Sequence, residues 1–459
     1  MVFSSVTFLY LFLPVFCLFY FATRDIKYKN IVICVFSAIF YALGEPIYIF
    51  LLFFNVFINF IFANAIEKRK QAKLSAKKVL IIAIVVNVLI IFIFKYLNLF
   101  CDLLNINIKR IPLPIGISFY TFQSISYVVD VYRGDSIAQK KYQDLFLYIA
   151  CFPQLIAGPI VRYKDIEEKI NNRESSIENI YDGIIRIVIG LSKKIIISNN
   201  IAVVADSLLK LNASYMSKAI GILVFICQLY FDFSGYSDIA IGLGKIIGFE
   251  YKENFNYPLI SKSQTEFFRR WHISLSTFFR DYVYIPLGGN KKNQYANIFI
   301  VWLLTGIWHG ATINFVLWGL FLAFIIIFEK VIYGILRIEM PYIIGNVYFV
   351  LISIISFAIF YFDDIDKLKQ FFNFDNIALI DAETKIILSN NAFLLLVAII
   401  FAMPVINIYK RFVNKCIVNN KFLYNARYIV EMTVCIVLMI ACLIFLVSET
   451  NNPFLYFRF

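Results

Sequence analysis

Helix-length apolar runs recur along this chain, and they constrain its fold more than any motif does. The run 79–100 is one of them. About 20 apolar residues in a helix cross a hydrocarbon core about 30 Å thick. In that medium every backbone N–H and C=O must be paired within the protein. Hydrophobic residues make up 61% of the sequence and charged residues 16%, whereas a soluble domain is about 45–50% apolar. The chain therefore reads as an all-α polytopic membrane protein. Candidate spans fall near 3–21, 31–44, 47–66, 79–100, 112–131, 219–248, 296–309, 312–328, 343–362, 391–409 and 428–447. They predict about 10–13 membrane-embedded helices, some short or re-entrant. No Ser/Gly/Pro-rich linker divides the sequence, so a single membrane domain over 1–459 is expected. The first span lacks a basic leader and a clear small-residue cleavage site, and reads as a retained helix.

Lysine and arginine mark the cytoplasmic loops of membrane proteins. The Lys68–Lys78 segment is the strongest such marker. Lys140-Lys141, Lys262 with Arg269-Arg270, Lys291-Lys292 and the Lys410–Lys421 region carry the same sign. This bias accounts for the net charge of +13, and nucleic-acid binding is not expected. It predicts both termini outside, with the tail 448–459 external. Two stretches, 152–159 and 257–290, have basic sequence on both sides and are expected to enter the bilayer and return. Irregular backbone at depth is tolerated against protein or a wet cavity, so the two stretches imply an internal chamber.

The sequence holds two histidines, and each follows a tryptophan: Trp271-His272 and Trp308-His309. A histidine in a membrane segment is costly and by default functional. A neutral imidazole is also a good general base. If Asn297 lies near the cytoplasmic face, His309 sits roughly 18 Å inside, where two short helices are expected to meet around Gly310. Two histidines cannot make a three-histidine zinc site. The eight cysteines, among them Cys17, Cys34, Cys151, Cys227, Cys435 and Cys442, show no metal spacing and read as small buried hydrophobes. No metal and no tightly bound cofactor are expected. Gly242-Leu243-Gly244-Lys245 lacks the spacing of a phosphate loop.

Asp232, Ser234, Tyr236 and Asp238 interrupt an apolar helix. An Asp at a bilayer centre costs roughly 2.5–3.5 kcal/mol, so something inside must offset it. Either they form an interhelical network, or their helix lines the chamber and they contact substrate. Arg269, Arg270 and Arg280 suit the phosphates of an anionic donor, or they snorkel to the interface.

Taken together, Phe152-Pro153-Gln154 through Gly158-Pro159, Tyr230 through Asp238, Arg270-Trp271-His272-Ile273-Ser274-Leu275-Ser276, Arg280 through Asn290, Gly306-Ile307-Trp308-His309-Gly310 and Asn452 through Phe459 resemble the membrane-bound O-acyltransferase (MBOAT) family. The closest branch is the bacterial one that acetylates polysaccharides such as alginate and peptidoglycan. The resemblance is dense from about 110 to 330 and returns at the tail.

It implies a helical fold around a funnel in the bacterial cytoplasmic membrane, entered by acyl-CoA from the cytoplasm. It implies His309 as the catalytic histidine and His272 as a second active-site histidine, with Trp308 alongside. Acetyl-CoA is the implied donor, and an envelope polysaccharide the implied acceptor. An external SGNH-type acetyltransferase is the implied partner, and Tyr456 in the aromatic tail a possible acyl relay. Two other readings stand beside this one: D-alanyl transfer to teichoic acids, and transport without chemistry.

Overall fold

The computed structural model describes residues 2–210, 213–336, 341–373, 378–417 and 421–448. These residues form helices and connecting loops, with no strand among them. Seven helices are long and apolar enough to cross a membrane. An eighth candidate is the pair Ala382–Asn390 and Ala392–Ala402, bent by 65°. Shorter helices include Ile26–Ala42, Ile117–Arg133 and Gln294–His309. The expected run 391–409 is broken, since a helix ends at Ala402 and another begins at Val405.

One long helix, Ile177–Leu208, was not among the expected spans. Its polar residues conceal it: Asp182, Arg186, Lys193, Lys194, Asn199 and Asn200 interrupt its apolar run. Tyr215–Ile246 follows it, and the charges are spent between the two helices.

The residues cluster into two compact units. In the first, Met1–Ile187 with Ser237–Glu253, Gly183 and Gly242 are in close contact, and Arg186 donates to Asp238 at 2.8 Å. An amide cluster joins three helices there. Asn87 Nδ2 donates to Asn59 Oδ1 at 2.8 Å, Asn55 Nδ2 to Asn87 Oδ1 at 3.0 Å, and Ser124 Oγ to Asn55 Oδ1 at 2.7 Å. All four residues are buried.

Phe152–Leu155 is a four-residue helix, and the segment 151–161 around it is buried throughout. Its irregular backbone thus has protein on every side. Gly116 permits this approach: it sits at φ +78°, and a Cβ there would lie 2.7 Å from the Leu155 carbonyl oxygen.

In the second unit, Val188–Tyr236 with Asn254–Phe459, the same two helices run antiparallel. Gly190 touches Gly235, Lys194 pairs with Asp232 at 2.8 Å, and Ser198 Oγ donates to the Gln228 carbonyl. The Gln294–His309 and Ile313–Leu336 helices meet through Gly306 and Gly319. A Cβ at Gly306 would lie 2.4 Å from the Phe315 carbonyl oxygen, and one at Gly319 2.5 Å from that of Trp302. Small residues let membrane helices approach backbone to backbone in this way.

Two stability outcomes follow. Asn87→Leu takes the Asn87 partner from Asn55 Nδ2 and Asn59 Oδ1, and should cost about 1–2 kcal/mol, read as a lowered Tm in detergent. Asp232→Ala removes the counter-charge of the buried Lys194 ammonium and should cost about 3–5 kcal/mol. The double replacement Lys194→Met with Asp232→Leu should recover most of that loss. A double variant no more stable than Asp232→Ala would contradict the assignment of Asp232 to a structural pair.

Candidate functional site

The site lies wholly within the second unit and is built on two histidines held in different ways. His309 is the last residue of Gln294–His309, a helix about 24 Å long. Gly310 then stops the helix with extended backbone at φ −169°. The His309 ring is 7% exposed and is held by other rings. Its centroid lies 5.0 Å from Trp308, 5.0 Å from Trp318 and 5.4 Å from Phe360. Expectation and structure differ on the far side of Gly310, because the helix that follows has 24 residues and is not short.

His272 joins two seven-residue helices, Gln264–Arg270 and Ile273–Phe279. Its φ is +45°, a left-handed conformation that a residue with a Cβ adopts only under constraint, and such strain gathers at functional sites. Asn254 supplies the constraint. Its carbonyl oxygen accepts from Ile273 N at 2.9 Å. Its Oδ1 accepts from Ser274 N at 3.2 Å and from Ser274 Oγ at 2.8 Å, and lies 3.1 Å from His272 Nδ1. A backbone N–H can only donate, so this atom is the amide oxygen, and His272 Nδ1 carries the proton. Nε2 is then the ring's accepting nitrogen. His272 lies outside the long spans, and burial lowers its pKa to about 3, so the ring is neutral at physiological pH. Trp308 stands between the two histidines, 6.0 Å from His272 and 5.0 Å from His309.

A carboxylate from another helix anchors this arrangement. Glu329 is 1% exposed on the apolar Ile313–Leu336 helix. Its oxygens accept from Gln264 N at 2.8 Å, Thr265 N at 2.9 Å and Thr265 Oγ1 at 2.5 Å. Negative charge at a helix N-terminus meets the unpaired N–H groups of the first turn. Glu329 thereby fixes the start of the helix that carries Arg269 and leads to His272.

A cavity of about 590 Å³ joins these parts. Its wall includes both histidines and Trp318, and also Arg269, Arg280 and Lys330. Between the wall residues Trp318 and Tyr333 the Ile313–Leu336 helix advances about 22 Å. The Tyr342–Tyr361 helix repeats this polarity: Phe360 touches His309, and Gly345 lies against Lys262. The cavity is therefore elongated, with the His309 ring toward one end and Lys330 toward the other. Such a slot can hold a long molecule whose anionic end lies near Arg269 and Lys330, and whose reactive end lies at the imidazoles.

Of the residues singled out in the sequence, His309, His272, Arg269 and Arg280 come together in this wall, with Trp308 between the histidines. Arg270 is not part of the wall; it pairs with Glu266 at 2.9 Å and donates to the Asn256 carbonyl. Asp232 pairs with Lys194, while Ser234 and Tyr236 are buried outside the wall. Asp238 pairs with Arg186 in the other unit. Tyr456 lies outside the described residues. Asn254, Trp318, Glu329 and Lys330 were missed. Glu329-Lys330 did carry a signal, as adjacent charges inside an apolar run, but Asn254 carried none.

The family model for MBOAT, the membrane-bound O-acyltransferase family, matches residues 141–362. Proteins named probable alginate O-acetylase AlgI from Pseudomonas putida and Pseudomonas aeruginosa are each 43% identical over 333 residues. Each match covers 70% of this chain, and 68% and 64% of the relatives' own lengths. The peptidoglycan O-acetyltransferase of Helicobacter pylori is 33% identical over 362 residues, covering 70% of this chain and 68% of its own. The teichoic acid D-alanyltransferase of Bacillus subtilis is 35% identical over 224 residues, covering 45% and 56%. The chain belongs to the membrane-bound O-acyltransferase family.

Replacing Glu329 separates cap from charge. Glu329→Gln keeps an accepting oxygen for the N–H groups and should retain most donor affinity. Glu329→Ala orphans them and should raise KM for the acyl donor about tenfold, with a smaller change in kcat. Steady-state kinetics in membrane vesicles read the split.

Proposed function

We propose that this membrane-bound O-acyltransferase passes acetyl groups from cytoplasmic acetyl-CoA toward an extracytoplasmic polysaccharide. The observation that carries the reading is the elongated cavity, with Arg269, Arg280 and Lys330 in its wall and two buried imidazoles beside them. Guanidinium and ammonium groups suit the phosphates of CoA, and the pantetheine arm spans the slot to bring the thioester to His309. A hydroxyl acceptor is deprotonated by His309 as its oxygen attacks the thioester carbonyl. The C–O bond forms, the C–S bond breaks, and His309 returns the proton to the departing CoA thiolate. The ring of His272, neutral and fixed through Nδ1–H, presents Nε2 as an acceptor that orients a reacting hydroxyl.

Acetyl is favoured over D-alanyl because the relatives named as acetyl-transferring match 70% of the chain and the D-alanyltransferase 45%. Transport without chemistry leaves the paired histidines without a role. The acceptor class rests on the relatives' names, alginate and peptidoglycan. An external SGNH-type acetyltransferase would place the acetyl group on the polymer. The tail residue Tyr456 would carry it as a phenolic ester between His309 and that partner. The site of action is the bacterial cytoplasmic membrane, with both chain termini outside.

Cells lacking the protein are complemented with wild type or His309→Ala at equal membrane abundance. Alkali-releasable acetate on the purified envelope polymers is then measured. Wild type should restore acetate on one polymer, and His309→Ala should leave it at least about 100-fold lower. Equal restoration would make His309 structural and end the mechanism. Tyr456→Phe keeps an aromatic anchor and removes the phenol, so full acetate in that variant would remove the relay and leave direct transfer.

A further inference from the structure

The rings around His309 do more than hold it. Trp318 belongs to the cavity wall; Phe315 and Phe360 do not. They form a second layer behind it: Phe360 lies 5.1 Å from Trp318 and 5.1 Å from Phe315. These are contact separations for aromatic rings, so the three rings pack directly on one another behind the wall. The backbone beside it is equally full. A Cβ at Gly310 would sit 2.1 Å from Phe315 Cδ2, so not even a methyl group fits there. Nor can the wall retreat, because Gly306 and Gly319 lock the helices that bear His309 and Trp318 backbone to backbone.

We propose that Trp318, backed by Phe360 and Phe315, is the end wall that limits the transferred acyl group to two carbons. The inference rests on the acyl-CoA reading above and adds the feature that selects chain length. A thioester carbonyl brought to His309 has its acyl carbons pointing past the imidazole toward the indole. Acetyl ends there, and each further methylene must displace packed rings. One methylene too many in a tight apolar pocket is worth about 10–200-fold. Two of them, in butyryl, should set wild-type kcat/KM at least about 100-fold below that for acetyl.

The test uses the full chain in inverted membrane vesicles from cells that carry its acceptors. Radiolabelled acetyl-, propionyl- or butyryl-CoA is supplied, and label is counted in alkali-releasable ester. Trp318→Ala should raise the absolute butyryl rate and lower the acetyl-to-butyryl ratio at least about tenfold. Phe360→Ala, one layer back, should lower the ratio less. Trp318→Phe trims the indole by one ring, so the ratio stays measurable if the alanine variant loses all turnover. A ratio that stays at the wild-type value in these variants, whatever their absolute rates, overturns the proposal. A wild type that uses butyryl-CoA as readily as acetyl-CoA overturns the wall and leaves the donor reading intact. A wild type that turns over none of the three overturns the donor reading and the wall with it.

Discussion

A polar group inside hydrocarbon must find its partner within the protein, and that constraint orders this molecule at every scale. Asn55, Asn59 and Asn87 satisfy one another across two apolar helices, with Ser124 adding a third. Lys194 and Asp232 meet at 2.8 Å, each at most 5% exposed, and Asn199 Oδ1 accepts a further bond from the ammonium. Glu329 is the same solution used to build a site. A lone carboxylate on a 24-residue apolar helix is expensive, and the first turn of the Gln264–Arg270 helix exposes N–H donors that would be expensive alone. Placing one against the other resolves both costs and fixes the short helix in space.

The cavity depends on that fixing. Its cations come from three elements: Arg269 from the capped helix, Arg280 from the segment after Ile273–Phe279, and Lys330 from the residue beside the cap itself. Without Glu329 the helix start loses three of the bonds that hold it, which loosens Arg269 relative to Lys330. His272 adds a second fixed point, since the left-handed backbone there is paid for by four contacts to Asn254. Strain of this kind persists only where the surroundings over-determine it. The bonds that hold the turn also fix the ring's tautomer, so one asparagine sets both geometry and chemistry.

How much of this was legible in the sequence follows the same physics. Most of the spans were readable, because continuous apolar runs are the direct signature of lipid as solvent. His309 was readable because a titratable ring in such a run has no cheap explanation, and His272 because it repeats the same Trp-His pair in a basic, aromatic stretch. Ile177–Leu208 was not, because its pairing charges look like a loop until Tyr215–Ile246 supplies their partners. For Asp232 and Asp238 the sequence left both network and chamber open, and only distance separates the two. Asn254 was invisible for a different reason: an asparagine before an aromatic, basic segment is ordinary until its oxygen is seen collecting three side-chain and backbone contacts. Pairing partners far apart in sequence are what pattern reading lacks.

The two histidines illustrate two ways of placing a ring in a dry site. Hydrogen bonds set His272 to a tautomer, at the cost of backbone strain. His309 is set by aromatic surfaces on several sides and by a helix pair locked through Gly306 and Gly319. Aromatic packing fixes a ring through its faces and edges. In the reaction proposed above, the proton-moving role falls to His309 and the orienting role to His272. The rings that hold His309 also pack on one another behind Trp318, so under the proposed reading one layer of side chains both positions the imidazole and limits the cargo.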